Sequence, residues 1–153
     1  MKMKTSLLFA LRHEPDLLIM DEPTSGLDPI FRRKLLDLLQ ELMIKENQTI
    51  FLSTHITNDL DKIADYIVFI NEGKILLHMD MEEIKESFYI VKGKKDLIDS
   101  DTRDLFTGIQ ITQTGFHGLF EGNASILQPL GETIVLENAT LEDMMYYMTR
   151  KEA

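Results

Sequence analysis

Asp21 and Glu22 stand side by side at the end of the apolar run Leu17-Leu18-Ile19-Met20, and Pro23 follows them. The run predicts a buried strand whose branched apolar residues want both faces covered, as in a parallel α/β sheet. Ligands of such sheets bind at the carboxyl ends of the strands, where these two carboxylates stand. Side chains alternate along a strand, so neighbours take different roles. One carboxylate suits a hydrated Mg2+, and the next suits orienting an attacking water. A second apolar strand, Thr49-Ile50-Phe51-Leu52-Ser53, ends in Thr54-His55 and brings an imidazole to a second strand end.

The stretch between Glu22 and His55 leaves room for one helix. Asp28 is a good N-cap, and Pro29 suits the first helical position. Phe31, Leu35, Leu38, Leu39 and Leu42 then form an apolar stripe at helical spacing.

In this order the residues resemble the ATP-binding proteins of ABC transporters. Asp21-Glu22 resembles the Walker B carboxylates, Ser25-Gly26-Leu27-Asp28 the D-loop and His55 the H-switch. The resemblance implies roles, position by position. Asp21 would hold Mg2+ through water, Glu22 would orient or deprotonate the attacking water, and His55 would touch the γ-phosphate of ATP. Ser25, Gly26 and Asp28 would belong to the nucleotide site shared across a dimer. Implied partners are transmembrane permease subunits and a second ATPase subunit. The implied location is the cytoplasmic face of a membrane, reached through the permease.

The family's phosphate loop, G-x-x-x-x-G-K-[ST], has no counterpart among the eight glycines. Gly73-Lys74 is followed by Ile75 and Gly93-Lys94 by Lys95, and neither pair has the upstream Gly. The Q-loop and the signature are missing as well. Met1-Lys2-Met3-Lys4 falls where residues after the signature Gly stand in the family. The expectation is the carboxyl-terminal part of an ABC ATPase subunit, bacterial drug- or peptide-exporter type, with Met1 an internal methionine of a longer protein. A truncated product, a split gene and a mis-called start are all compatible with that. Strands stripped of neighbours would offer unpaired edges and apolar surface.

Composition fits one domain, or one with a small appendage, in 153 residues that are 44% hydrophobic. A net charge of −10 argues against a nucleic-acid partner, whose phosphates need Lys/Arg surfaces. With no cysteine there is neither a disulfide framework nor a thiolate metal site. No apolar run approaches the roughly 18–20 residues of a membrane-spanning helix.

The fold class expected is α/β: a partial P-loop NTPase sheet with helices over residues 1–87, then a small α+β appendage over 88–153. In the first part, helices are expected over 5–13, 28–45, 57–64 and 81–87, and strands over 16–21, 48–53, 66–70 and 74–78. Asn71-Glu72-Gly73 turns the last two strands into a hairpin. In the appendage, short strands are expected over 88–91, 109–112, 116–120 and 133–136, with a helix near 95–106. Thr140 starts a final helix, with Asp143 completing a variant of the capping box. Leu141, Met144, Met145 and Met148 line one face of that helix.

Plainer readings stand beside these. Asp21 and Glu22 could be a solvated strand end, His55 a surface or capping histidine, and Ser25 to Asp28 only a turn and a cap. His13, His78 and His117 share no ligand spacing and read as surface residues. Three functions compete: an ABC transporter ATPase subunit, a non-catalytic fragment docking on a complete ATPase or permease, and an ABC-type ATPase without a transporter. The last usually carries coiled-coil insertions or a second cassette, which this chain lacks.

Overall fold

The computed structural model describes residues 15–44, 48–131 and 133–150. The helix expected over 5–13 lies outside them. The chain forms two compact units, one ending at Ile63 and the other beginning at Ala64.

In the first unit, β1 (Leu17–Asp21) pairs in parallel with β2 (Thr49–Ser53), and α1 (Pro29–Ile44) is the crossover between them. Asp28 caps α1 as its sequence predicts, its carboxylate accepting the Phe31 N–H at 3.0 Å. A short helix, α2 (Thr57–Ile63), follows β2. Leu18 of β1, Leu35, Leu36 and Leu39 of α1, and Ile63 of α2 form the core, with Met20, Ile50 and Leu52 packed on it. Leu36, outside the predicted stripe, is part of this core. Alternation along the strands sends Leu17, Ile19 and Phe51 to the other face. That face was expected to be covered. Among the described residues it stays open, with Ile19 68% and Phe51 61% exposed. Two strands and two helices carry cover for one side of a sheet only.

The second unit opens with a hairpin, β3 (Tyr66–Asn71) and β4 (Lys74–Asp80). Positive φ at Glu72 and Gly73 gives its two-residue turn the twist that hairpins favour. Asp80 caps α3 (Met81–Ser87), accepting the Glu83 N–H at 2.7 Å. The rest is a four-stranded antiparallel sheet in the order β6-β7-β5-β8, built from β5 (Phe88–Gly93), β6 (Phe106–Ile111), β7 (Phe116–Glu121) and β8 (Val135–Asn138). Val91, Phe106, Phe116, Phe120 and Leu127 form its core. Thr140 and Asp143 cap α5 (Leu141–Thr149) reciprocally. Leu141, Met144 and Tyr147 are its buried residues, so Tyr147 takes the place expected of Met148.

One helix expectation fails. The stretch 95–106 is not one helix but a 3₁₀ turn at Lys95–Leu97, then α4 (Ser100–Arg103), then the start of β6. Asp99 breaks it: its backbone is extended, and its carboxylate caps a new start by accepting the Thr102 N–H at 2.8 Å. A second 3₁₀ segment, Ala124–Leu130, was not expected, although Leu127 within it is core.

Candidate functional site

Register builds the site. Asp21 lies opposite Ser53 in the parallel pair, so both strands end at one level. The residues just past those ends, Glu22 and Thr54-His55, are therefore neighbours although 33 positions separate Glu22 from His55. Ser53 Oγ donates to Asp21 Oδ1. Glu22 N donates to Ser53 O at 2.9 Å, one more rung beyond the ladder.

At Glu22 the chain turns. Its φ is +45°, in the left-handed region that non-glycine residues seldom occupy, and Pro23 follows. Such backbone persists where the surroundings over-determine it, typically at functional sites. Here the side chain supplies the extra restraint. Glu22 Oε1 lies 2.8 Å from His55 Nδ1 and accepts the His55 backbone N–H at 3.1 Å. Thr54 Oγ1 donates to Oε2 at 3.3 Å. The hydrogen bond to the His55 ring, with that ring's charge, holds the Glu22 carboxyl below the usual range. It is thus ionised and acceptor-only near neutral pH.

Ser25, Gly26 and Asp28 form the turn between Glu22 and α1. Ser25 N donates to Glu22 O at 3.2 Å and Leu27 N to Thr24 O at 3.3 Å. Gly26 has φ +68°, with open space where a Cβ would project, so backbone geometry alone asks for glycine. Ser25, Gly26 and Asp28 are exposed, as is Asp21. Among the described residues no three acidic or histidine side chains converge on a metal position.

Known proteins similar to this chain include transport ATP-binding proteins. A family model described as an AAA domain (AbiEii toxin, type IV TA system) matches residues 5–61. The bacitracin transport ATP-binding protein BcrA of Bacillus licheniformis is 40% identical over 86 residues, covering 56% of this chain and 28% of that protein. The lantibiotic transport ATP-binding protein SrtF of Streptococcus pyogenes is 40% identical over 91 residues, covering 58% and 39%. A fluoroquinolones export ATP-binding protein of Mycobacterium tuberculosis is 30% identical over 155 residues, covering 99% and 50%.

The chain is similar to transport ATP-binding proteins over part of their length. It spans half or less of the length of these curated relatives. A solved ABC transporter of metal-chelate type, in an inward-facing conformation, aligns with TM-score 0.47 at 22% identity over 79% of this chain and 46% of that one.

Three features of this chain were not anticipated from sequence. Thr54 shares the Glu22 carboxylate with His55, and its hydroxyl also accepts the Ile56 N–H at 3.1 Å. Thr24 is 3% exposed, and its hydroxyl has no hydrogen-bond partner among the described residues. Arg32 of α1 forks onto Asp59 of α2, which is 2% exposed. Polar residues inside a helical pattern gave no sign of the Arg32–Asp59 pair. The only hint was position: Arg32 lies four residues after Asp28, and Asp59 four after His55.

Proposed function

We propose that this chain carries the hydrolysis half of an ABC transporter ATPase site. Glu22 orients or deprotonates the attacking water. His55 aligns Glu22 and, in a complete ATPase, would contact the γ-phosphate. Asp21 would hold Mg2+ through water, and Ser25, Gly26 and Asp28 form the turn that would face a second ATPase subunit. The carrying observation is the Glu22–His55 contact at 2.8 Å, with the carboxyl held ionised at a strand end. An ionised carboxylate is the form that can accept a proton from water.

Use of ATP and Mg2+ is general to the family. The residues present fit the metal side of that chemistry, with Asp21 exposed and held by Ser53. They do not fit the triphosphate, because the sequence contains no G-x-x-x-x-G-K-[ST] loop to supply backbone N–H groups and a Lys. Two carboxylates beside an uncradled polyphosphate repel it. The reading therefore belongs to an ATPase in which other residues cradle the phosphates. Permease subunits and a second ATPase subunit are the partners it implies, on the cytoplasmic face of a membrane. Among the described residues no helix is long and apolar enough to cross a membrane.

The chain alone tests the division of labour. Its Mg-dependent ATP hydrolysis should not exceed that of its Glu22→Gln variant. Turnover that disappears in the variant would show that a phosphate site exists here after all.

A second reading, a non-catalytic fragment that docks on a complete ATPase or permease, is favoured by the open face of Leu17, Ile19 and Phe51. A mixture of the chain with an intact relative's ATPase would then elute as a complex, and Phe51→Lys would separate them.

A further inference from the structure

Two hydrogen-bonded tethers start at Glu22, and one partly buried ion pair joins their far ends. The first tether runs through the turn after β1. Ser25 N donates to Glu22 O, and Leu27 N donates to Thr24 O. Asp28 then caps α1 through its carboxylate, and its carbonyl accepts the Arg32 N–H at 2.9 Å. The second tether runs through the loop after β2. Thr54 Oγ1 donates to Glu22 Oε2 and accepts from Ile56 N, whose own carbonyl accepts the Asp59 N–H at 3.1 Å. Arg32 closes the ring. Its Nε lies 2.8 Å from Asp59 Oδ1 and 3.1 Å from Oδ2, and its Nη2 lies 2.8 Å from Oδ1.

We propose that Arg32 and Asp59 are positioning residues for the Glu22–His55 pair. Besides the ion pair, the loops after β1 and β2 meet at Glu22 through strand rungs and one carboxylate. The helices they enter share a core and the Gln40–Lys62 carbonyl bond at 2.7 Å, further along α1 and at the end of α2. With the ion pair, the start of α1 and the start of α2 are held at a fixed separation, so the chain entering each helix has one path past Glu22. The guanidinium is suited to this task because its planar fork fixes direction as well as distance. A lysine ammonium would supply the charge without the direction. The proposal rests on the ATPase reading for its purpose, since a water-orienting carboxylate needs a fixed geometry.

The plainer alternative is an ion pair that only supports the helix packing. A supporting role would loosen the whole first unit when disturbed. A positioning role would loosen His55 selectively. The measurement is amide exchange by NMR on the chain itself at one neutral pH, comparing the His55 N–H, which donates to Glu22, with the Leu39 N–H in the core of α1. Glu22→Ala sets the released value for His55. Arg32→Lys should raise His55 exchange at least about tenfold towards that value while leaving Leu39 unchanged. In the Glu22→Ala background it should add nothing. The double variant Arg32→Met with Asp59→Leu removes both charges and should release His55 to the same degree. His55 exchange within about twofold of the parent in both variants overturns the proposal. So does a rise matched in ratio by Leu39, including outright unfolding. No nucleotide enters this measurement, so its outcome is independent of whether the ATPase reading survives.

Discussion

His55 Nδ1 lies 2.8 Å from Glu22 Oε1, and the same oxygen accepts the His55 main-chain N–H at 3.1 Å. One carboxylate oxygen thus receives both the ring and the backbone of a residue on the neighbouring strand's exit loop. Sliding β1 by one residue against β2 would break both contacts and turn the Leu18 face outwards. The hydrophobic alternation that buries Leu18 therefore also sets the site's register.

Two carboxylates should shape the acid limb of stability. The His55 contact holds Glu22 below its ordinary range, and the Thr102 hydroxyl, then the Thr102 amide, do so for Asp99. A lowered folded-state pKa means that the stabilisation is present above the ordinary value and is lost as pH falls through the lowered one. Glu22→Gln and Asp99→Asn should each flatten the fall in urea midpoint below about pH 4. Acid limbs superimposable on the parent's would show that neither contact persists in solution.

Asp59 is buried and Arg32 is about one-third exposed. Asp59→Ala strands the guanidinium and should cost about 3 kcal/mol, the lower end for breaking a buried pair. Arg32→Met with Asp59→Leu should recover most of that loss, because neither variant side chain leaves a charge unpaired. Equal losses in the single and double variants, read from urea unfolding, would show that the cost lies in packing.

Thr24 buries a hydroxyl that meets no partner among the described residues. Thr24→Val keeps the shape and removes the unsatisfied group, so it should be neutral or stabilising by up to about 1 kcal/mol. A loss above about 1 kcal/mol would mean that the hydroxyl is satisfied after all.

How far the sequence could be read depended on how local each signal was. The strand ending at Asp21, the Asp28 cap, the Asn71-Glu72-Gly73 turn, the Asp80 cap and the Thr140–Asp143 box are short-range patterns, and the structure contains each. The fold class, an α/β unit followed by an α+β part, was legible from them. The helix expected over 95–106 fails because Asp99 has an extended backbone and its carboxylate caps a new helix start. The Arg32–Asp59 pair, the Thr54 hydroxyl at Glu22 and the left-handed turn at Glu22 depend on how two distant loops meet. No local pattern encodes them.

The second unit gives two stability tests. Thr140→Ala removes the hydroxyl that accepts the Asp143 N–H at 3.1 Å and should cost about 1 kcal/mol. Gly115→Ala should cost about 1–3 kcal/mol, because an added Cβ would stand 2.4 Å from the Gly93 carbonyl oxygen, which belongs to backbone and cannot swing aside. Urea unfolding followed by near-ultraviolet signals of the sheet's Phe and Tyr residues would read both. Parent-like midpoints would contradict the geometry at those positions.

Hydrolysis in a complete ATPase tests the central claim most directly. Residues 15–63 of this chain can replace the matching stretch of the bacitracin transport relative, which supplies the rest of an ATP-binding protein. The chimera should hydrolyse ATP with Mg2+. Glu22→Gln in it should lower turnover by about 10²–10⁴-fold while ATP binding is retained, because in the proposed role Glu22 acts on the water and not on the nucleotide. Unchanged turnover in the Glu22→Gln chimera would show that Glu22 is not the residue that activates the water.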